Sequence, residues 1–204
     1  MLTSDPNRGV GAIFNGVDRF SATLKKEQAR QSKAMNAAIR VEGFRLKNLL
    51  QAEIRKGEPG GQRMTPLSYI ARRYASDRRA NRAPLERMAL GVRYHVVSER
   101  PYALAVGWVG PVEWTSKRWR RLAQLHQEGF TRTITGRQRR WLARRGGELG
   151  KIEGGDTPFF LRKTTRTFNT PARPMMHPFW QAYREQSIRN IHRNFKRKAA
   201  GKTL

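Results

Sequence analysis

The sequence predicts an α+β fold: a long N-terminal helix, a small antiparallel β-sheet with a central hairpin, short basic helices and a C-terminal amphipathic helix. Three observations predict it. The stretch from Phe20 to Lys56 contains no proline, two runs rich in β-branched and aromatic residues flank one turn signal, and the chain closes on an apolar repeat of three and four residues. Helices and strands come in blocks and lack the strand–helix alternation of a parallel sheet. The expected division is residues 1–57, an N-terminal extension with its long helix, and residues 58–204, an α+β domain.

The long helix has Ser21 as its expected N-cap, and Gly57 followed by Pro59 ends it. Its apolar stripe runs through Phe20, Leu24, Met35, Ile39, Leu46, Leu50 and Ile54, interrupted by Gln28, Gln31 and Glu42. A polar break in mid-helix predicts two ends that pack on different things. Leu24, Met35, Ile39 and Leu46 are therefore the candidate subunit-contact residues. Removing residues 1–40 is expected to leave a folded domain that no longer assembles.

Glu58 to Gln62 is a Pro/Gly loop. A short helix is expected from Pro66 to Ala75, with Thr65 as its cap, and an exposed, mobile arginine-rich stretch from Asp77 to Arg82. Another turn of helix is expected over Pro84–Ala89. Val92–Val97 and Tyr102–Val109 form the hairpin, turned by Ser98-Glu99-Arg100-Pro101. Lys117–Gln127 reads as a helix ended by Gly129. Gln138–Arg145 reads as a second, very basic helix stopped by Gly146-Gly147, with a Gly-rich loop to Gly155. Phe159–Phe168 alternates as a third strand. A final helix starts near Pro178, with Trp180, Tyr183, Ile188, Ile191 and Phe195 on one face, packed against the hairpin.

Charge narrows the function. Among 204 residues, 42 are Lys or Arg and 15 are Asp or Glu, for a net charge of +27. Such a chain repels itself and seeks nucleic acid or an acidic protein surface. Nine per cent aromatic residues still supply a core, which argues against a disordered tail. There is no cysteine, hence no disulfide and no thiolate metal site or nucleophile. No basic, then apolar, leader opens the sequence, and no uncharged run approaches the ~20 residues of a membrane span. A soluble protein made in the cytoplasm is expected, with no membrane partner.

Catalytic patterns fail on inspection. Gly201-Lys202-Thr203 lacks the earlier glycine of a phosphate-binding loop, and His126-Gln127-Glu128 lacks the paired cysteines of a zinc deaminase. His95, His126, His177 and His192 are dispersed, and carboxylates are scarce. The sequence predicts no enzyme, no cofactor and no metal. Trp119 and Trp141 read as the apolar anchors of their basic helices. The candidate DNA- or partner-facing residues are Arg118, Arg120, Arg121, Arg137, Arg139, Arg140, Arg144 and Arg145.

Several pieces in the second half resemble a known family. They are the hairpin ending Val106-Gly107-Trp108, the run Leu122-Ala123-Gln124-Leu125-His126-Gln127-Glu128-Gly129, the basic stretch Arg137 to Leu142, and Thr170-Pro171-Ala172-Arg173-Pro174-Met175-Met176 before a final helix. In this order they resemble the virion morphogenesis, or tail-completion, proteins of Mu-like phages, over roughly residues 90 to 200. The Pro-Ala-Arg-Pro element is the most specific piece, because two prolines set an extended lead-in to the helix. The segment Lys151–Arg166 departs from the shorter family members. The resemblance implies a non-enzymatic virion protein of the neck, the head–tail junction of long-tailed phages. It implies a homo-oligomeric ring, of six copies or of twelve, that meets other neck, connector or tail-terminator proteins. Double-stranded DNA would pass non-specifically through its lumen. The alternative is a general nucleic-acid-binding protein of ribosomal or chromatin type, which would bind as a monomer with a steep salt dependence.

Overall fold

A computed structural model describes residues 17–66, 83, 85–99, 102–110, 117–152 and 164–204. Helix α1 spans Val17–Lys56, 40 residues and about 60 Å of rise. It ends where expected, at Gly57, whose φ of 80° only glycine adopts freely. The expected helix Pro66–Ala75 and the arginine-rich stretch to Arg82 lie largely outside the described residues. After the short 3-10 turns Pro59–Gly61 and Glu86–Gly91 comes the hairpin of β1 (Arg93–Glu99) and β2 (Tyr102–Gly107). Its strands are antiparallel, with Tyr94 opposite Val106, Val96 opposite Leu104, and an irregularity between Val96 and Ser98.

Helix α2 (Lys117–Glu128) leads into β3 (Phe130–Thr133), which pairs antiparallel with β4 (Thr167–Thr170). This corrects the expected single sheet. The third strand does not join the hairpin but forms a second two-stranded sheet with a partner the sequence did not reveal. Four residues, Phe130-Thr131-Arg132-Thr133, are too few to show an alternating pattern. The start of the expected strand, 159–163, lies outside the described residues.

Helix α3 spans Gly136–Ile152, both earlier and longer than expected. Thr135 and Gln138 form a capping box that sets the start. The Gln138 N–H donates to Thr135 Oγ1 at 3.3 Å, and the Thr135 N–H to Gln138 Oε1 at 3.0 Å. The helix runs through Gly146-Gly147, which the sequence predicted as its stop and as the start of a loop. Glycine costs about 1 kcal/mol in a helix but keeps its N–H, so the hydrogen-bond ladder continues.

Helix α4 (Met176–Ala199) lies antiparallel along α1. Tyr183 meets Glu53, Asn190 meets Glu42, and Arg30 Nη2 donates to the Ala199 carbonyl at 2.6 Å. This overturns the expected packing on the hairpin. Phe179 is buried, whereas Trp180 and Ile188 are 51% and 56% exposed. The helix is rotated about one position from the purely apolar choice. That rotation sets Ser187 and Asn190 toward the buried Glu42 carboxylate of α1.

The core joins the C-terminal half of α1 to the rest of the chain. Leu46, Leu50 and Ile54 pack with Met64, Met88, Val92, Trp108, Met175 and Phe179. The expected division at residue 57 therefore falls inside one shared core. Leu46 and Ile39 are buried in the chain itself, at the floor of an open groove. Ala34 and Ala38 are buried too, so removal of residues 1–40 would strip core positions. Only residues up to about 31 can be removed without that loss.

Two glycines set close approaches. A Cβ on Gly43 would stand 2.6 Å from the Tyr94 ring and 2.9 Å from Leu104, so its absence lets the hairpin lie against α1. At Gly60, φ is 64° and a Cβ would stand 2.3 Å from the Pro178 carbonyl oxygen. Backbone cannot yield as a side chain can. Gly60→Ala is expected to destabilise the fold by about 2–3 kcal/mol, from left-handed strain plus overpacking, as measured by urea unfolding.

Candidate functional site

Three features of the surface bear on function. The first is an open apolar groove of about 770 Å³ between α1, the hairpin and α4. Met35, Leu104, Met176, Trp180, Ile188 and Ile191 line it. Met35 is thus one sequence-predicted contact residue that stays accessible. Leu24 is another, 54% exposed on the first half of α1 beside Phe20. From Phe20 through Gln31 that half is exposed throughout and polar apart from these two residues and alanines. Contiguous apolar surface such as the groove marks an interaction site more often than a solvated face.

The second feature is a buried polar knot that explains the Pro-Ala-Arg-Pro element. Arg173 is 4% exposed. Its Nε donates to the Thr65 carbonyl at 2.8 Å and its Nη2 to the Pro66 carbonyl at 3.1 Å. Its backbone N–H donates to the His126 carbonyl at 2.6 Å. Beside it, Gln127 Oε1 accepts the N–H groups of Met175 at 3.0 Å and Met176 at 3.3 Å. One side chain of α2 thus caps the start of α4, satisfying donors that a helix start leaves orphaned. Burial lowers the Arg173 pKa, and hydrogen bonds to carbonyls hold the cation in place.

Burial first, and the Arg173 charge second, lower the His126 pKa below its usual value. The folded state therefore favours the neutral imidazole. This contribution to stability is present above the unfolded imidazole pKa of about 6.5 and is lost as pH falls through that range. His126→Gln should consequently lose less unfolding free energy than the parent chain between pH 7.5 and 5.5, a difference readable by chemical denaturation at both pH values.

The third feature is the basic surface. Arg118, Arg121, Arg137, Arg140 and Arg144 are exposed on α2 and α3, and Arg145 comes next on α3. Arg120 and Arg139 are half-buried and hold loops instead. Arg120 donates to the Gly110 carbonyl, and Arg139 Nη2 to the Thr165 carbonyl at 2.5 Å. Trp119 packs against the core as expected, but Trp141 is half-exposed and Leu142 is the buried anchor of α3. Among the described residues no group of His or carboxylates could hold a metal ion, and no helix is long and apolar enough to cross a membrane.

A scan against models of protein families, and comparisons with curated proteins and with solved structures, found no match.

The sequence missed two parts of this site. The groove is assembled from three elements distant in the chain, and no local pattern signals it. The role of Gln127 was hidden as well, because a cap donated by another helix leaves no trace beside the helix it caps.

Proposed function

We propose that this chain is a structural virion protein of the phage neck, one subunit of a ring through which the genome passes. The observation that carries the proposal is the apolar groove left open beside Trp180 and Ile188 on a chain of net charge +27. A monomer exposing that surface gains by covering it, and a head-to-tail interface that closes on itself makes a ring. The charge needs a polyanion or acidic neighbours, and a neck supplies both. The motif order from Val106 to Met176 resembles that of the tail-completion proteins of Mu-like phages.

The exposed first half of α1 then reaches a neighbouring subunit or ring, with Leu24 and Phe20 as its apolar contacts. Deleting residues 1–29 removes that reach and leaves in place every position of α1 described as buried. The truncated chain should melt within a few degrees of the parent yet fail to join particles, scored by sedimentation and by recovery of infectious virions. Normal virion yield from the truncated chain would remove the proposed role of this segment.

The exposed arginines of α2 and α3 face acidic partner proteins or DNA. Each alone contributes little in water and salt. Arg118, Arg121 and Arg140 reversed together to Glu should impair head–tail joining or genome retention with the subunit still folded. Unchanged particle yield and DNA content would show a merely solvated face.

A further inference from the structure

We propose that the end of the α1–α4 pair farthest from the core is a surface for the phosphate backbone of duplex nucleic acid. The antiparallel packing brings residues 25–40 of α1 beside residues 189–202, the end of α4 and the first residues of the C-terminal tail, as the Asn190–Glu42 and Arg30–Ala199 contacts show. Together these spans hold eleven Lys and Arg residues and one acid, Glu27. The charge of the two helices adds only because the fold lays them side by side.

Rows of cations run along each helix. Lys26, Arg30 and Lys33 recur at four- and three-residue spacing on α1, as do Arg189, Arg193 and Lys196 on α4, so each set shares one helix face. All six are exposed. A shallow concavity of about 470 Å³ is bounded by Arg189, His192, Arg193 and Lys196 around Ile188. The ion pairs here are loose: Arg30 with Glu27 at 3.6 Å, and Arg189 with Glu185 at 3.7 Å. Lys196, Arg197 and Lys198 also complement the negative end of the α4 dipole. That accounts for the last turn and leaves Arg189, Arg193 and the α1 row unexplained.

Residues 25–40 rise about 22 Å along α1. Duplex DNA of that length carries about 13 phosphate charges on its two strands, enough on one face to engage both exposed rows of three cations. Interfaces between proteins exclude charge, lysine above all, from their centres, whereas phosphate contacts are made by mobile Lys and Arg side chains. The composition of this surface therefore favours a nucleic-acid backbone, read without base specificity. The assignment rests on the neck reading in taking duplex DNA as the polyanion. It adds a contact on the helical pair to the candidate DNA- or partner-facing arginines of α2 and α3.

Binding of the full chain to a 30-base-pair duplex, tracked by fluorescence anisotropy across a salt series, tests the assignment. Arg189→Gln, Arg193→Gln and Lys196→Gln combined should lower the slope of log K against log salt by about three. The triple variant Arg55→Gln, Lys56→Gln, Arg63→Gln, exposed cations at and just beyond the opposite end of α1, should lower it by less than one. The thermal midpoint of both is expected to match the parent. The reverse order of effects overturns the assignment, and so does displacement of the duplex by polyglutamate at equal charge concentration, which would mark an acidic-protein surface. Neither result bears on ring assembly, which sedimentation and particle recovery report independently. Failure of the assignment is thus distinguishable from failure of the neck reading.

Discussion

Arg45→Met is expected to destabilise the protein by about 3–5 kcal/mol, the cost of leaving a buried charge without its partner. Glu42 is 1% exposed, at the centre of the α1–α4 interface. Arg45 grips its carboxylate with two nitrogens, Nη2 at 2.6 Å and Nε at 3.0 Å, and Asn190 Nδ2 adds a third contact at 3.2 Å. The Glu42 hydrogen bond is the main cause that raises the Arg45 pKa above its usual value. With Arg45 gone, only Asn190 among these donors remains for a carboxylate that α4 seals from water. Replacing both partners, as Glu42→Leu with Arg45→Met, should restore most of the loss, because an apolar pair removes the desolvation problem. Urea unfolding of the two single variants and the double variant measures the coupling. A single Arg45→Met costing under about 1 kcal/mol would show that water reaches Glu42.

Phe179→Ala should cost a similar 3–5 kcal/mol, and its neighbour Trp180→Ala less than about 1 kcal/mol. Phe179 is 2% exposed, packs in the core, and stacks at a tilt against Tyr183 with ring centroids 5.0 Å apart. Truncating it opens a cavity beneath the start of α4 that the close Gly60–Pro178 approach cannot collapse to fill. Trp180 borders the groove, so its truncation removes apolar surface already half in water. The signature is a large loss of stability for the first variant and a loss confined to assembly for the second. Equal costs at the two positions would place Trp180 in a core and remove it from the groove.

These two residues also show how far local patterning reaches. Spacing alone marks Trp180 for the inner face of the terminal helix, whereas the fold buries Phe179 there. Choosing between them depends on Glu42, 148 positions from Asn190, which draws a polar arc of α4 inward. A pattern that scores only apolar residues selects the wrong arc by one position.

By itself the sequence determined the signals that act within a few residues. Gly57 ends α1, although the helix starts at Val17 and takes in the expected cap Ser21; β-branched residues on either side of one turn make the hairpin, and the α+β class comes from their order. The +27 charge likewise needs no structure to imply an anionic partner. Tertiary structure alone decided what depends on elements meeting across the chain. It paired β3 with β4, supplied a cap to α4 from Gln127, buried Arg173 as a tie to Thr65 and Pro66, and placed Leu46 in the core. It also left the groove open and joined two basic helix ends into one surface. The physical reason is range: helix caps, turns and pleats are set by neighbours in sequence, whereas burial and charge density are sums over neighbours in space.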